Sequence, residues 1–143
     1  MWNTICMVHI RPYKKTDQTE VLRLLAELQD HVAQLDPFHR LRRKREFNVR
    51  KYFQELQTDL RTDGRIFLAV YAGKVVGAVA AAVTSGVRAR LEVKPGLSRS
   101  GRVFELIVDQ EARGLGVGKK LLTAAEQFLR SKKCSIIFIG CFS

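Results

Sequence analysis

The chain has 143 residues, with 25 Lys and Arg against 14 Asp and Glu, and so carries a net charge of +11. That length fits one domain able to bury about 70% of its unfolded surface without disulfide or metal staples. With 46% apolar and 27% charged residues the composition is that of a soluble globular protein and excludes a disordered chain, while the positive excess points to an anionic partner: nucleic acid, a membrane surface or a phosphorylated cofactor.

Met1 to Ile10 lacks a basic leader and a long apolar run, so no secretory signal is expected. Met7 to Arg11 reads as a short strand ended by Pro12. Val21, Leu24, Leu25, Leu28, Val32 and Leu35 then recur at helical spacing. Asp17 with Glu20 forms a capping-box start, and Pro37 closes the pattern. A basic segment, residues 39–51, holds seven basic residues against one acidic. It runs into a second amphipathic helix on Val49, Phe53, Leu56 and Leu60, with Asn48 as its cap. After Asp63-Gly64 the period changes. Ile66 to Tyr71 and Val75 to Val83 read as strands of a hairpin closed by Ala72-Gly73-Lys74, the second weakened in propensity by Gly77 and its alanines. The longest uncharged apolar stretch, Val75 to Val87, is too short for a membrane span of about 20 residues. Thr84 to Arg102 reads as a long polar loop, with five basic residues against one acidic in 86–102, and loops of that length are usually functional. Val103 to Val108 is a strand, Arg113 to Gly118 a glycine-rich turn, Val117, Leu121, Leu122, Ala125, Phe128 and Leu129 a third helix, and Ser135 to Ile139 a last strand. The order β-α-α-β-β-β-α-β makes this an α/β or α+β domain with a mixed sheet. Cys6, Cys134 and Cys141 are odd in number and lack C-x-x-C spacing, and His9, His31 and His39 are scattered. A reducing, cytoplasmic home and no metal site are therefore expected.

The stretch from Glu105 to Leu122 carries the chemistry. It reads as a strand, an acidic turn, then glycines opening a helix, which is a geometry that receives phosphate on unpaired N–H groups. Gly114, Gly116 and Gly118 remove Cβ atoms where an anion would approach, and Arg113, Lys119 and Lys120 add positive charge. A Walker A loop fails twice, because Arg113 stands at its first glycine and Lys120 at its Ser/Thr. The dinucleotide fingerprint fails at Lys119. The pattern [QR]-x-x-G-x-[GA] fits without a gap on Arg113, Gly116 and Gly118. The plain alternative is a glycine-rich turn that holds no ligand.

On these residues, from Val108 to Gly118, the sequence resembles the GNAT superfamily of N-acetyltransferases, and the element order and the opening Ile10-Arg11-Pro12 are similar too. The resemblance implies an acyl-CoA N-acyltransferase fold and transfer of an acetyl group from acetyl-CoA to a primary amine of a small molecule or protein. It implies that backbone amides of Arg113, Gly114, Leu115, Gly116, Val117, Gly118 and Lys119 hold the pyrophosphate. It implies also that Leu106, Ile107 and Val108 pair with the pantetheine arm, one amide there polarising the thioester carbonyl. Glu105 stands where many members place a carboxylate base. Flanked by Phe104 and Leu106, its pKa is expected to be raised; the alternative is a strand residue facing solvent or pairing with an Arg.

Members of that superfamily normally continue past the last strand seen here, so residues 1–143 read as one N-acetyltransferase domain that is C-terminally incomplete. No Tyr follows Tyr71, so the family's thiolate-protonating residue has no counterpart. An apolar strand from Ile136 to Ile139 left without cover implies a homodimer through this end. The basic segment between the first two helices, near the family's acceptor site, argues for an acidic or phosphate-bearing acceptor. Two functions follow from this reading: an active acetyltransferase, or a truncated or degenerate member that binds CoA or a polyanion such as nucleic acid without catalysis.

Overall fold

Residues 7–60, 63–84 and 99–139 are described by the computed structural model. Their elements are β1 (His9–Pro12), α1 (Gln18–Leu35), α2 (Val49–Leu60), β2 (Gly64–Tyr71), β3 (Lys74–Val83), β4 (Ser100–Val108), α3 (Val117–Ser131) and β5 (Ile136–Ile139). Short 3-10 turns at Lys15–Asp17 and Gln110–Ala112 precede α1 and α3. The element order is the expected one. Most of the basic stretch between Thr84 and Arg102 lies outside the described residues, as do Cys6 and Cys141.

The five strands form one mixed sheet in sequence order, β1-β2-β3-β4-β5. Neighbours are antiparallel except β4 and β5, which run parallel, as a helical crossover through α3 permits. α1 and α2 cover one face, where Leu24, Leu25, Phe53 and Leu56 meet Leu68, Ala78, Ala80 and Ile107. α3 covers the other, packing Val117, Leu121, Ala125 and Leu129 on Val79, Ala81 and Val103. β3 is the middle strand, buried on both faces. Its alanines are poor strand formers alone, but their small side chains let helices approach from both sides, and burial overrides propensity.

Four local expectations change. β1 begins at His9 rather than Met7 and takes in Pro12 as its last residue, opposite Phe67; among the described residues β1 is an edge strand, where a missing N–H costs nothing. Asp17 does not cap α1 with Glu20. Its carboxylate takes two bonds of 2.8 Å from the Arg11 guanidinium and one of 2.8 Å from the Lys14 N–H, while Glu20 accepts from Arg23 at 2.8 Å. β4 begins at Ser100 rather than Val103. Its first residues lack strand propensity, but Ser100 is buried with its hydroxyl 2.6 Å from that of Thr84, and Gly101 receives the Leu129 side chain. The hairpin closes on Ala72 and Gly73, both at positive φ, with Lys74 already in β3. Asn48 does cap α2, its Oδ1 accepting from the Lys51 N–H at 3.1 Å.

Candidate active site

β4 is irregular where the chemistry was expected. Ala78 faces Ile107 and Ala80 faces Phe104, so Glu105 and Leu106 together oppose Val79. This is a β-bulge, and Glu105 occupies it with φ +57°, in the left-handed region. Phe104 and Ile107 consequently both pack on the α1/α2 side, and Val103, Leu106 and Val108 on the α3 side. Glu105 meets α2 instead of an arginine: the Tyr52 hydroxyl donates to its Oε1. Burial pushes the Glu105 carboxyl above its ordinary range. A cleft of ≈ 500 Å³ opens beside it, lined by Tyr52, Glu55, Leu56 and Asp59 of α2, Ala82 and Val83 of β3, and Arg102 and Phe104 of β4. Arg102 lies over the Phe104 ring, 5.8 Å from its centre.

Among the described residues the opposite flank of β4 is open at one end. β5 pairs with Ser100 through Val103 only, and among the described residues no strand continues along Phe104 to Val108. The backbone of Leu106, Ile107 and Val108 therefore offers an edge to an extended ligand. The same three residues line a second cleft of ≈ 530 Å³, with Glu27, Leu28, Asp30 and His31 of α1, Lys44, Gln110 and Arg113. Lys44 is the contribution of the basic segment to this lining. Part of the segment's charge is neutralised locally, Arg43 by Asp30 at 2.7 Å and Arg40 by Asp36 at 3.2 Å.

The turn after β4 is fixed from below. The Asp109 N–H donates to the Val76 carbonyl at 2.7 Å. Arg23 on α1 reaches the Asp109 carboxylate and the Val75 carbonyl, each at 3.3 Å. Within the 3-10 turn the Arg113 N–H donates to the Gln110 carbonyl at 3.3 Å, so Arg113 is available to a ligand through its side chain rather than its amide. Gly114 and Gly116 have φ +86° and +76°, and nothing lies within 4 Å of where a Cβ would stand. These two need glycine for their backbone and leave space above it. Gly118 differs: a Cβ there would meet Val108 Cγ2 at 3.7 Å, an ordinary packing distance. Gly116 is the N-cap of α3 and supplies no side-chain cap, so the first amides of the helix, on Val117, Gly118 and Lys119, lack helical partners. Leu115 and Lys119 are exposed beside them, and the Lys120 ammonium bonds the Val8 carbonyl at 3.3 Å. An uncapped helix N-terminus with open glycines and nearby cations fits a phosphate group.

The glycine turn was visible in sequence, and Leu106 to Val108 were singled out by the resemblance. Tyr52 was not. It extends the helical stripe of Val49, Phe53 and Leu56, and a tyrosine in such a stripe needs a partner for its hydroxyl when half-buried. That was the available signal, though nothing in it pointed to Glu105.

A family model described as the acetyltransferase (GNAT) family matches residues 23–143. No curated protein matches the sequence. Among solved structures, the chain is similar to a transcriptional regulator from Bacillus halodurans, at 19% identity and TM-score 0.66, with 96% of this chain and 83% of that one covered. It is similar to glucosamine-6-phosphate N-acetyltransferase from Arabidopsis thaliana, at 18% identity and TM-score 0.64, covering 95% and 83%. A predicted acetyltransferase from Clostridium acetobutylicum, crystallised with acetyl-CoA, matches at 14% identity and TM-score 0.65, covering 94% and 81%. At these identities the likeness is one of fold.

Proposed function

The chain belongs to the acetyltransferase (GNAT) family, and from that premise we propose that it transfers an acetyl group from acetyl-CoA to a primary amine. The observation that carries the reading is the conjunction on β4 and α3: an open strand edge at Leu106 to Val108 leads directly to an uncapped helix N-terminus with open glycines. Bound there, acetyl-CoA supplies an activated acetyl thioester. The α3 amides and the Arg113 side chain hold its diphosphate, and the β4 edge aligns the pantetheine arm. That alignment removes much of the entropic barrier to attack.

Glu105 takes a proton from the incoming ammonium, directly or through water, and the neutral amine attacks the acetyl carbonyl. The N–C bond forms as the C–S bond breaks, the electron pair leaves on sulfur, and the second nitrogen proton ends on the thiol. The proton held by Glu105 passes to solvent. The cleft beside Glu105 sets the acceptor. Among the described residues its charged lining is Glu55, Asp59 and Glu105 against Arg102, so a cationic amine suits it better than the acidic acceptor suggested by the basic segment. The deciding experiment follows thiol release from acetyl-CoA across a panel of amines. Turnover that depends on amine and is lost in Glu105→Gln supports the reading. Acetyl-CoA binding without turnover on any amine supports a non-catalytic CoA-binding domain instead.

A further inference from the structure

Tyr52 is separated from Glu105 by 53 positions and sits on another element, yet its hydroxyl is the group that holds the carboxylate. The bulge turns Glu105 out of β4 on the α2 side. The Tyr52 ring is itself braced, with Phe47 at 5.3 Å between centroids and tilted by 60°, and it packs on the α1/α2 core. Oε1 of Glu105 is thus anchored, whereas Oε2 has no hydrogen-bond donor among the described residues, and both side chains line the same cleft. One oxygen is fixed and the other is left for a molecule entering that cleft.

We propose that Tyr52 is the positioning residue for Glu105, its O–H orienting the carboxylate and favouring the anionic form that accepts the acceptor's proton. The inference rests on the acetyltransferase reading above. Two influences oppose each other at Glu105: burial favours the neutral acid, and a donated hydrogen bond favours the anion. Among the described residues the other charged groups facing it across the cleft are Glu55 and Asp59 from α2 and Arg102 from β4, while β3 contributes no charge. Among the described residues none of these three bonds Glu105, so the tyrosine hydroxyl is the donor opposing burial.

The test is Tyr52→Phe, which keeps the ring and its contact with Phe47. Without the hydroxyl the anion is less favoured, the Glu105 pKa rises, and the acidic limb of the kcat/KM profile moves to higher pH. At the acidic end kcat/KM falls about tenfold, the effect of one hydrogen bond to a charged group, and at the alkaline plateau it stays within about threefold. Titration of the Glu105 carboxyl carbon by NMR gives a readout independent of turnover, and its midpoint should move the same way. A uniform loss across pH, or an unmoved profile and midpoint, overturns the role of Tyr52 and leaves the acetyltransferase reading standing. Loss of the acidic limb in Glu105→Gln separates the two, because a Gln variant with the native profile removes the base itself. If Tyr52→Phe does not fold, Phe47→Leu loosens the same ring while keeping the hydroxyl, and a smaller shift in the same direction is expected; no shift overturns the proposal.

Discussion

Replacing Gly116 by Asp separates binding of a diphosphate from stability of the fold. A Cβ at this position meets nothing within 4 Å, so the cost to the free protein is conformational. An L-residue at φ +76° loses about 1 kcal/mol, partly offset by about 0.5 kcal/mol from a carboxylate beside a helix N-terminus. The free variant should therefore melt within about 3 °C of the wild type. Ligand binding responds differently. Wild-type protein at 100 times the acetyl-CoA dissociation constant should gain about 2.7 kcal/mol. A carboxylate about 5 Å from a phosphate charge opposes it by about 3 kcal/mol at an effective dielectric of 20, enough to erase that gain. The assay is thermal unfolding with and without acetyl-CoA. Gly118→Ala serves as control, since its methyl meets Val108 at 3.7 Å and should leave the ligand shift intact. An undiminished shift in Gly116→Asp would refute the assignment of the diphosphate to this helix end.

Gly77→Ala should destabilise by about 2 kcal/mol, read by urea unfolding, because its methyl would stand 2.9 Å from the Ile107 carbonyl oxygen and 3.0 Å from Leu121; native stability would mean that β4 can shift freely. Asp17→Asn should cost about 2 kcal/mol at neutral pH, less than a fully buried pair because Arg11 is partly exposed. The Arg11 guanidinium holds the Asp17 carboxyl below its ordinary range, so this stabilisation is complete above the unfolded pKa near ~4 and is lost as pH falls through the lowered folded value. A wild-type advantage that persisted at pH ~1 would show that the pair is not its source. Among acceptors of equal length, diamines should outperform amines bearing carboxylate or phosphate, with kcat/KM for the diamine falling as salt rises; the reverse preference would remove the acidic cleft as the acceptor site.

The element order and the glycine-rich turn that opens α3 were legible because each rests on local signals. Helical stripes, a glycine-bearing hairpin turn and closely spaced glycines require no knowledge of partners. What sequence missed rests on distant ones. Ser100 and Gly101 become strand through Thr84 and Leu129, against their own propensities. Asp17 stands three positions before Glu20 as a capping residue would, yet the bidentate pair with Arg11 claims it. Glu105 was found by its place on the strand, but neither its bulge nor its tyrosine could be read, since one depends on register against β3 and the other on where α2 comes to rest. The acidic side chains of the cleft proposed for the acceptor could not be read for the same reason: the basic segment is compact in sequence, while Glu55, Asp59 and Glu105 converge only in space.

The bulge also makes β4 unequal along its length to the loss of a residue. Elsewhere in the strand, a deletion would throw the following side chains onto the wrong face of the sheet. At Glu105 the segments on either side are already in step with that residue left out: Phe104 followed directly by Leu106, Ile107 and Val108 alternates faces without interruption. Removing Glu105 would restore a regular ladder against β3 and discard a left-handed backbone. The carboxylate proposed as the base is thus carried as a supernumerary residue, one that the sheet could lose without losing its own order.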